Sequence, residues 1–228
     1  MSDLVVVVLG IVLLVVAASA FALLRMPPER LETTVDEVRA VEVRLAVGRV
    51  EIGEYDRRNV RIELTAKRRP GRARPTMTRS GEVLRLDGKA SDAVVKLKLP
   101  RGTKVRAEVR TGEITLWGAD GDLLLVTESG GITGRELTGS RISARSRSGD
   151  INLHFDGPPD NLSAVSDDGM VTLVLPEAEY GIEVETGNPQ LAGVELPSVP
   201  GSGRQVLARS LAGRVRIRAA SPQGPVRI

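Results

Sequence analysis

The chain has 228 residues, of which 41% are hydrophobic, 27% charged and 2% aromatic, with 24 Gly, 13 Pro, no Cys and one His. A formal net charge of +3 is ordinary, so the composition is that of a folded, turn-rich chain rather than a disordered polyelectrolyte or a disulfide scaffold. Without cysteine there is no thiol nucleophile and no Cys-ligated zinc, haem or iron–sulfur centre; one histidine excludes a His-rich metal site.

Leu4 to Leu24 is an uncharged apolar run of 21 residues. As a helix it spans roughly 31 Å, the thickness of a bilayer core, and reads as a transmembrane segment. Ala18-Ser19-Ala20 has the small-x-small form of a signal cleavage site. No basic residue precedes the run, however, and it continues through Phe21-Ala22-Leu23-Leu24, so an uncleaved anchor is the expectation. Ala18 and Ala22 have the spacing of a helix-pairing face, which an Ala-rich span also produces by composition alone. Arg25 and Arg30 follow the span and favour a cytoplasmic C-terminal part. Pro27 and Pro28 end the helix, because neither donates a backbone hydrogen bond. Thr33 to Arg39 reads as a helical turn or an irregular lead-in.

From residue 41 the pattern is period two, the mark of half-buried strands. It runs through Val41-Glu42-Val43-Arg44-Leu45, Arg49-Val50-Glu51-Ile52, Val60-Arg61-Ile62-Glu63-Leu64, Val83-Leu84-Arg85-Leu86 and Val94 to Leu99. A repeat follows, in which short alternating strands flank a glycine. The marker glycines are Gly112, Gly131, Gly149, Gly169, Gly187 and Gly213, in steps of 19, 18, 20, 18 and 26 residues. The long last step holds the Pro/Gly insert Leu196-Pro197-Ser198-Val199-Pro200-Gly201-Ser202-Gly203. A regular period near 19 predicts a β-solenoid, β-helix-like, whose rungs bury a continuous aliphatic column. The alternative is an antiparallel β-sandwich in which the Gly pairs are hairpin turns. The segment before residue 100 is expected to cap one end. The organisation expected is a transmembrane helix over 1–25, a juxtamembrane linker over 26–40, a β-repeat domain over 41–220 and a tail over 221–228.

Chemistry-bearing patterns are few. By strand parity Ile151, Leu153 and Phe155 share one face, which turns Asn152 and His154 to solvent. No nucleophile elbow, phosphate loop or dinucleotide fingerprint is present. Asp150, Asp156, Asp160, Asp167 and Asp168 read as turn residues; a polysaccharide-cleaving carboxylate pair is the alternative. A carbohydrate site would also call for aromatic platforms, and only Tyr55, Trp117, Phe155 and Tyr180 lie outside the span. No catalytic residue, cofactor or metal ligand is expected. Lys67, Arg68, Arg69, Arg72, Arg74 and Arg79 are six cations without an intervening acid. They form either a solvated hairpin loop around Pro70-Gly71 or a contact for an anionic surface, lipid or envelope polymer. Nucleic acid is not expected, since no aromatic residues interleave with the cations.

The Gly-x-hydrophobic-x-hydrophobic marks, with Leu99-Pro100-Arg101-Gly102 and Leu175-Pro176-Glu177-Ala178 before alternating strands, resemble a bacterial putative-adhesin family. That family is formally a domain of unknown function with adhesin-like β-strand repeats, and the resemblance covers roughly Val41 to Ile217. It implies a repetitive β fold, often in membrane-linked or envelope proteins, and no established enzymatic activity. Only Gly149-Asp150 keeps the acid of the Gly-Asp repeats, so no repeated metal role for Asp follows. The expectation is a single-pass membrane protein with a non-catalytic β-domain, an envelope scaffold or interaction module that contacts lipid, an anionic envelope polymer or another membrane protein. The family context places the β-domain outside, against the cue from Arg25 and Arg30. The alternatives are a polysaccharide-acting enzyme on a β-helix and a membrane-tethered regulator with a cytoplasmic domain.

Overall fold

The period-two pattern folds into parallel strands stacked in register. A computed structural model describes residues 29–56, 58–66 and 75–220. Among these residues no helix is long and apolar enough to cross a membrane. The expected span Leu4–Leu24 and the tail 221–228 lie outside the described residues.

The chain winds as a coil with two strand tracks. Strands β2 (Ala40–Glu54), β5 (Val83–Leu99) and β6 (Lys104–Trp117) each run through both tracks. After them every rung places one strand on each: β7 (Leu123–Ser129) and β8 (Ile132–Leu137), β9 (Arg141–Ser148) and β10 (Ile151–Phe155), then β11 (Asn161–Ser166) and β12 (Val171–Leu175). Pairing within each track is parallel, as in Leu123↔Ile142 and Ile132↔Ile151. Short links close the third side and also stack, Thr138 donating to the Ala119 carbonyl at 3.1 Å. Parallel, in-register ladders are the solenoid expectation and not the hairpins of a sandwich. Alternate residues turn inward and form one core, with Ile114, Leu125, Ile132, Ile151, Phe155 and Leu173 fully buried. Ile151, Leu153 and Phe155 point in and His154 points out, as parity requires.

The order of the last rungs departs from the sequence. The chain first builds β13 (Gly181–Thr186) and β14 (Ala192–Val194), then returns through the Pro/Gly insert as β15 (Gln205–Ser210) and β16 (Val215–Ala219). The later rung lies inside the earlier one: β15 pairs β11 and β13, and β16 pairs β12 and β14. Charge explains the exchange. Residues 160–175 carry Asp160, Asp167 and Asp168 and no base; residues 177–195 carry five Glu and no base. Residues 204–219 carry Arg204, Arg209, Arg214, Arg216 and Arg218 and no acid. Stacking in sequence order would set acid on acid, which is unfavourable across neighbouring strands. The observed order sets the basic rung between two acidic ones, with Arg204–Asp160 at 3.8 Å, Arg209–Glu185 at 3.2 Å and Arg218–Glu195 at 3.7 Å.

At the corner between tracks a column of glycines packs backbone on backbone. A Cβ on Gly149 would sit 2.2 Å from the Gly130 carbonyl oxygen, and one on Gly169 would sit 2.0 Å from that of Gly149. Gly149 also has φ +152°, which L side chains rarely adopt. Gly112, Gly149, Gly169 and Gly213 belong to this column. In the second rung its member is Gly130 rather than Gly131, and Gly187 packs on the Leu211 carbonyl instead. Beside the glycines runs a buried hydroxyl column of Thr127, Ser146, Ser166 and Ser210. Ser166 donates to the Gly149 carbonyl of the preceding rung at 2.9 Å and accepts from its own Gly169 N–H at 2.9 Å. Ser210 repeats this toward Gly169 and Gly213 at 2.7 and 2.9 Å. These bonds satisfy backbone groups that the corner removes from the strand ladders.

Of the segment before residue 100, expected as a cap, β2 and β5 are themselves parallel rungs, and only β1 (Glu29–Asp36), β3 (Asn59–Ala66) and β4 (Thr76–Ser80) pair antiparallel at this end. β3 and β4 pair with β5, and β1 pairs with β3. Strand β1 falls within the stretch 26–40 expected as linker, including the lead-in 33–39. Its register matches Leu31, Thr33 and Val35 to Leu64, Ile62 and Val60.

Candidate interaction surface

Stacked rungs turn their outward side chains into rows. On the second track Thr115, Thr133, Asn152 and Thr172 stand in register on neighbouring strands, followed by Arg216. One side-chain step along, Trp117 stands between Gly53 and Arg135, and His154, Val174 and Arg218 continue on the later rungs. Trp117 is 44% exposed, and the space where Gly53 would carry a Cβ is open. The result is an indole on a face where neutral hydrogen-bonding groups stand beside guanidinium groups. Lys96 pairs with Glu51 at 2.9 Å and Arg49 with Glu113 at 2.8 Å on this face. Among the described residues no acid pairs with Arg135 or Arg216. An indole beside a free guanidinium can hold a flat ring and an anionic group together.

The first track carries an open groove of ≈ 510 Å³ across β2, β6, β7, β9 and β11, lined by Glu42, Lys104, Arg106, Asp122, Leu124 and Arg141 among others. Its charges answer one another. Arg141 holds Asp122 through two bonds of 3.2 and 2.9 Å, and Lys104 stands 3.6 Å from the same carboxylate. The bond from Arg141 holds the Asp122 carboxyl below its ordinary range. The groove therefore has less free charge to offer than the face around Trp117.

One carboxyl is shifted the other way. Glu54, at the end of β2, is pushed up to about 7, first by burial and then by the carboxyl of Asp120 beside it. Asp120 in turn accepts a hydrogen bond from the Gly102 N–H. This pair lies at a rung corner with Pro100, Thr103 and Gly121, in a space too small for a substrate. Among the described residues no group of three or more His, Asp or Glu could hold a metal ion. The bonds seen for the Asp cluster run between rungs: Asp150 accepts from the Met170 N–H of the next rung at 2.8 Å, and Asp160 pairs with Arg204.

Of the basic stretch, Lys67, Arg68, Arg69, Arg72 and Arg74 lie outside the described residues. Arg79, on β4, donates to the Gly81 carbonyl of its own hairpin at 2.9 Å and stands 3.9 Å from the Glu37 carboxylate in the link between β1 and β2. In the sequence Trp117 stands out only as one of few aromatic residues. Its outward parity beside Leu116 was the available signal. The Ser and Thr of the hydroxyl column were visible as Ser/Thr-x-x-Gly, three residues before each corner glycine from Gly130 onward.

Residues 103–191 match the family model described as Toastrack DUF4097. No curated protein matches the chain. Among solved structures, a putative cell adhesion protein from Clostridium sporogenes is similar at 13% identity and a TM-score of 0.47, covering 84% of this chain and 98% of its own. A putative adhesin from Bacteroides fragilis is similar at 14% identity and a TM-score of 0.42, covering 84% and 97%. Over residues 103–191 the chain is thus similar to the family described as Toastrack DUF4097.

Proposed function

We propose that the chain is a membrane-tethered, non-catalytic interaction module whose second track offers its flat outer face to an anionic envelope polymer. The observation that carries this reading is the exposed Trp117 in register with Arg135, on a face whose Arg135 and Arg216 have no acid partner among the described residues. The apolar run Leu4–Leu24 supplies the tether, and the β-domain faces outward. A rigid stack suits such contact, because the rows are fixed before binding and little ordering is required.

The test is binding of dextran sulfate against neutral dextran. Trp117→Ala should weaken dextran sulfate binding about ten-fold, the effect of losing one aromatic anchor. Equal binding of both polymers, or full binding by Trp117→Ala, would refute the reading. Sidedness is tested separately with cysteines at Ser2 and Ser221 and an impermeant maleimide on intact cells. Labelling at Ser221 alone supports an outward domain. Labelling at Ser2 alone makes a tethered regulator of cytoplasmic partners the better account.

A further inference from the structure

We propose that the outer edge of the last rung is a docking edge for an extended basic strand from another protein. The rung is built as an interior rung but stands at the end of the stack. β13 pairs only with β15, and β14 only with β16, among the described residues. The aliphatic column reaches this rung in Ile182 and Val184, which pack partly on the core, and ends with no strand laid over them. Val194 is 42% exposed.

Backbone polarity defines where a strand would add. Gly181 donates inward to the Arg204 carbonyl, so Ile182 and, by alternation, Val184 present their N–H and C=O outward. Glu195 donates inward to Ile217, which turns Val194 outward in the same way. The protein covers part of this edge itself. The Ser198 hydroxyl accepts from the Ile182 N–H at 2.9 Å and donates to the Ile182 carbonyl at 3.2 Å, and Val199 N–H binds the Tyr180 carbonyl at 2.7 Å. Among the described residues the cover stops there, leaving Val184 and Val194 as free edge positions. Unpaired edges of this kind are templates for strand addition.

Charge selects the occupant. The end of the stack reads acidic, basic, acidic, and its outermost members are Glu177, Glu179, Glu183, Glu185 and Glu195. The next strand that continues this order carries Arg or Lys at outward positions, alternating with aliphatic residues that extend the column. No described edge of this chain fits: β4 has the single cation Arg79, and β1 mixes Glu29, Glu32 and Asp36 with Arg30. Among the described residues none supplies such a strand, and the occupant proposed is a different chain.

The probe is a blocked hexapeptide copying Arg214–Ala219, with a counterpart in which Glu replaces its three Arg. Both are titrated into the full chain while amide exchange is followed. The basic peptide should bind at least about ten-fold tighter than the acidic one and slow exchange at Val184 or Val194. Glu183→Lys should reduce that preference about five-fold, as expected for an exposed charge contact. Trp117→Ala should leave peptide binding unchanged, which separates this edge from the polymer face. Equal binding of the two peptides, protection confined to other sites, or a dimer in the ultracentrifuge that protects Val194 would overturn the proposal.

Discussion

Replacing Ser166 by alanine tests the corner directly. Its hydroxyl is fully buried and makes two bonds, to the Gly149 carbonyl and from the Gly169 N–H, both at 2.9 Å. Alanine fits the same space and removes both. Each buried hydrogen bond contributes about 0.5–1.5 kcal/mol net, so the loss should be about 1–3 kcal/mol. For a domain of this size 2 kcal/mol lowers Tm by roughly 4–8 °C. Urea unfolding at constant m-value is the assay. Ser148→Ala is the control, since Ser148 is exposed one residue before the same glycine; it should change stability by less than about 0.5 kcal/mol. If Ser166→Ala falls within that same range, the hydroxyl column does not satisfy the corner backbone, and the account of the Ser/Thr-x-x-Gly repeat fails.

Gly149→Ala combines a φ of +152° with a Cβ 2.2 Å from backbone oxygen, and should cost about 3–5 kcal/mol or prevent folding. Gly203→Ala, where a Cβ meets nothing within 4 Å, should be nearly neutral in the same unfolding series. Glu54 binds its proton more tightly folded, with an ordinary value of 4.5 raised to about 7, so the folded state holds more protons between these values. Its stabilising contribution is full below about 4.5 and is lost as pH rises toward 7; Tm should fall over that window, and Glu54→Gln should flatten the fall. A Tm that rises through this window by an amount Glu54→Gln abolishes would reverse the assignment. Arg209→Glu replaces the partner of Glu185 with a second acid and should cost about 1 kcal/mol at low salt. The cost should shrink in 1 M salt, and a salt-independent cost would remove charge as the reason for the rung order.

The rungs themselves were legible because burial imposes a two-residue period and the corner requires glycine. Ile151-Asn152-Leu153-His154-Phe155 shows both halves of that logic, since its inward and outward residues follow from parity alone. Their order was harder to see. Val206 and Ile182 satisfy the same aliphatic pattern, so periodicity cannot say which rung lies outside. Only charge separates them, and the segregation of Glu into 177–195 and Arg into 204–219 was the readable sign. Adjacent glycines are equivalent in a sequence pattern, and Gly130 is set apart from Gly131 only in the fold, by its φ of +138° and its close packing on the Gly112 carbonyl. Strand β1 was missed because Glu29–Asp36 is an edge strand with little to bury, and its partners lie in another segment. The face around Trp117 depends on register between rungs, which no single strand reveals.

The exchange of the last two rungs also sets a timetable. From β6 to β12 the rungs join neighbours about 20 residues apart, so each of these can close soon after it leaves the ribosome. The partners Leu162 and Val206 are 44 residues apart, and the segment 181–194 has no basic neighbour until 204–219 is made. Until then its only available surface is the acidic rung at 160–175. The C-terminal part of the stack must therefore stay open through synthesis and assemble last, with the returning strand pair inserted in one late, non-local step. A nascent chain halted near residue 200 would hold a finished stack through β12 and an acidic segment with nowhere to dock.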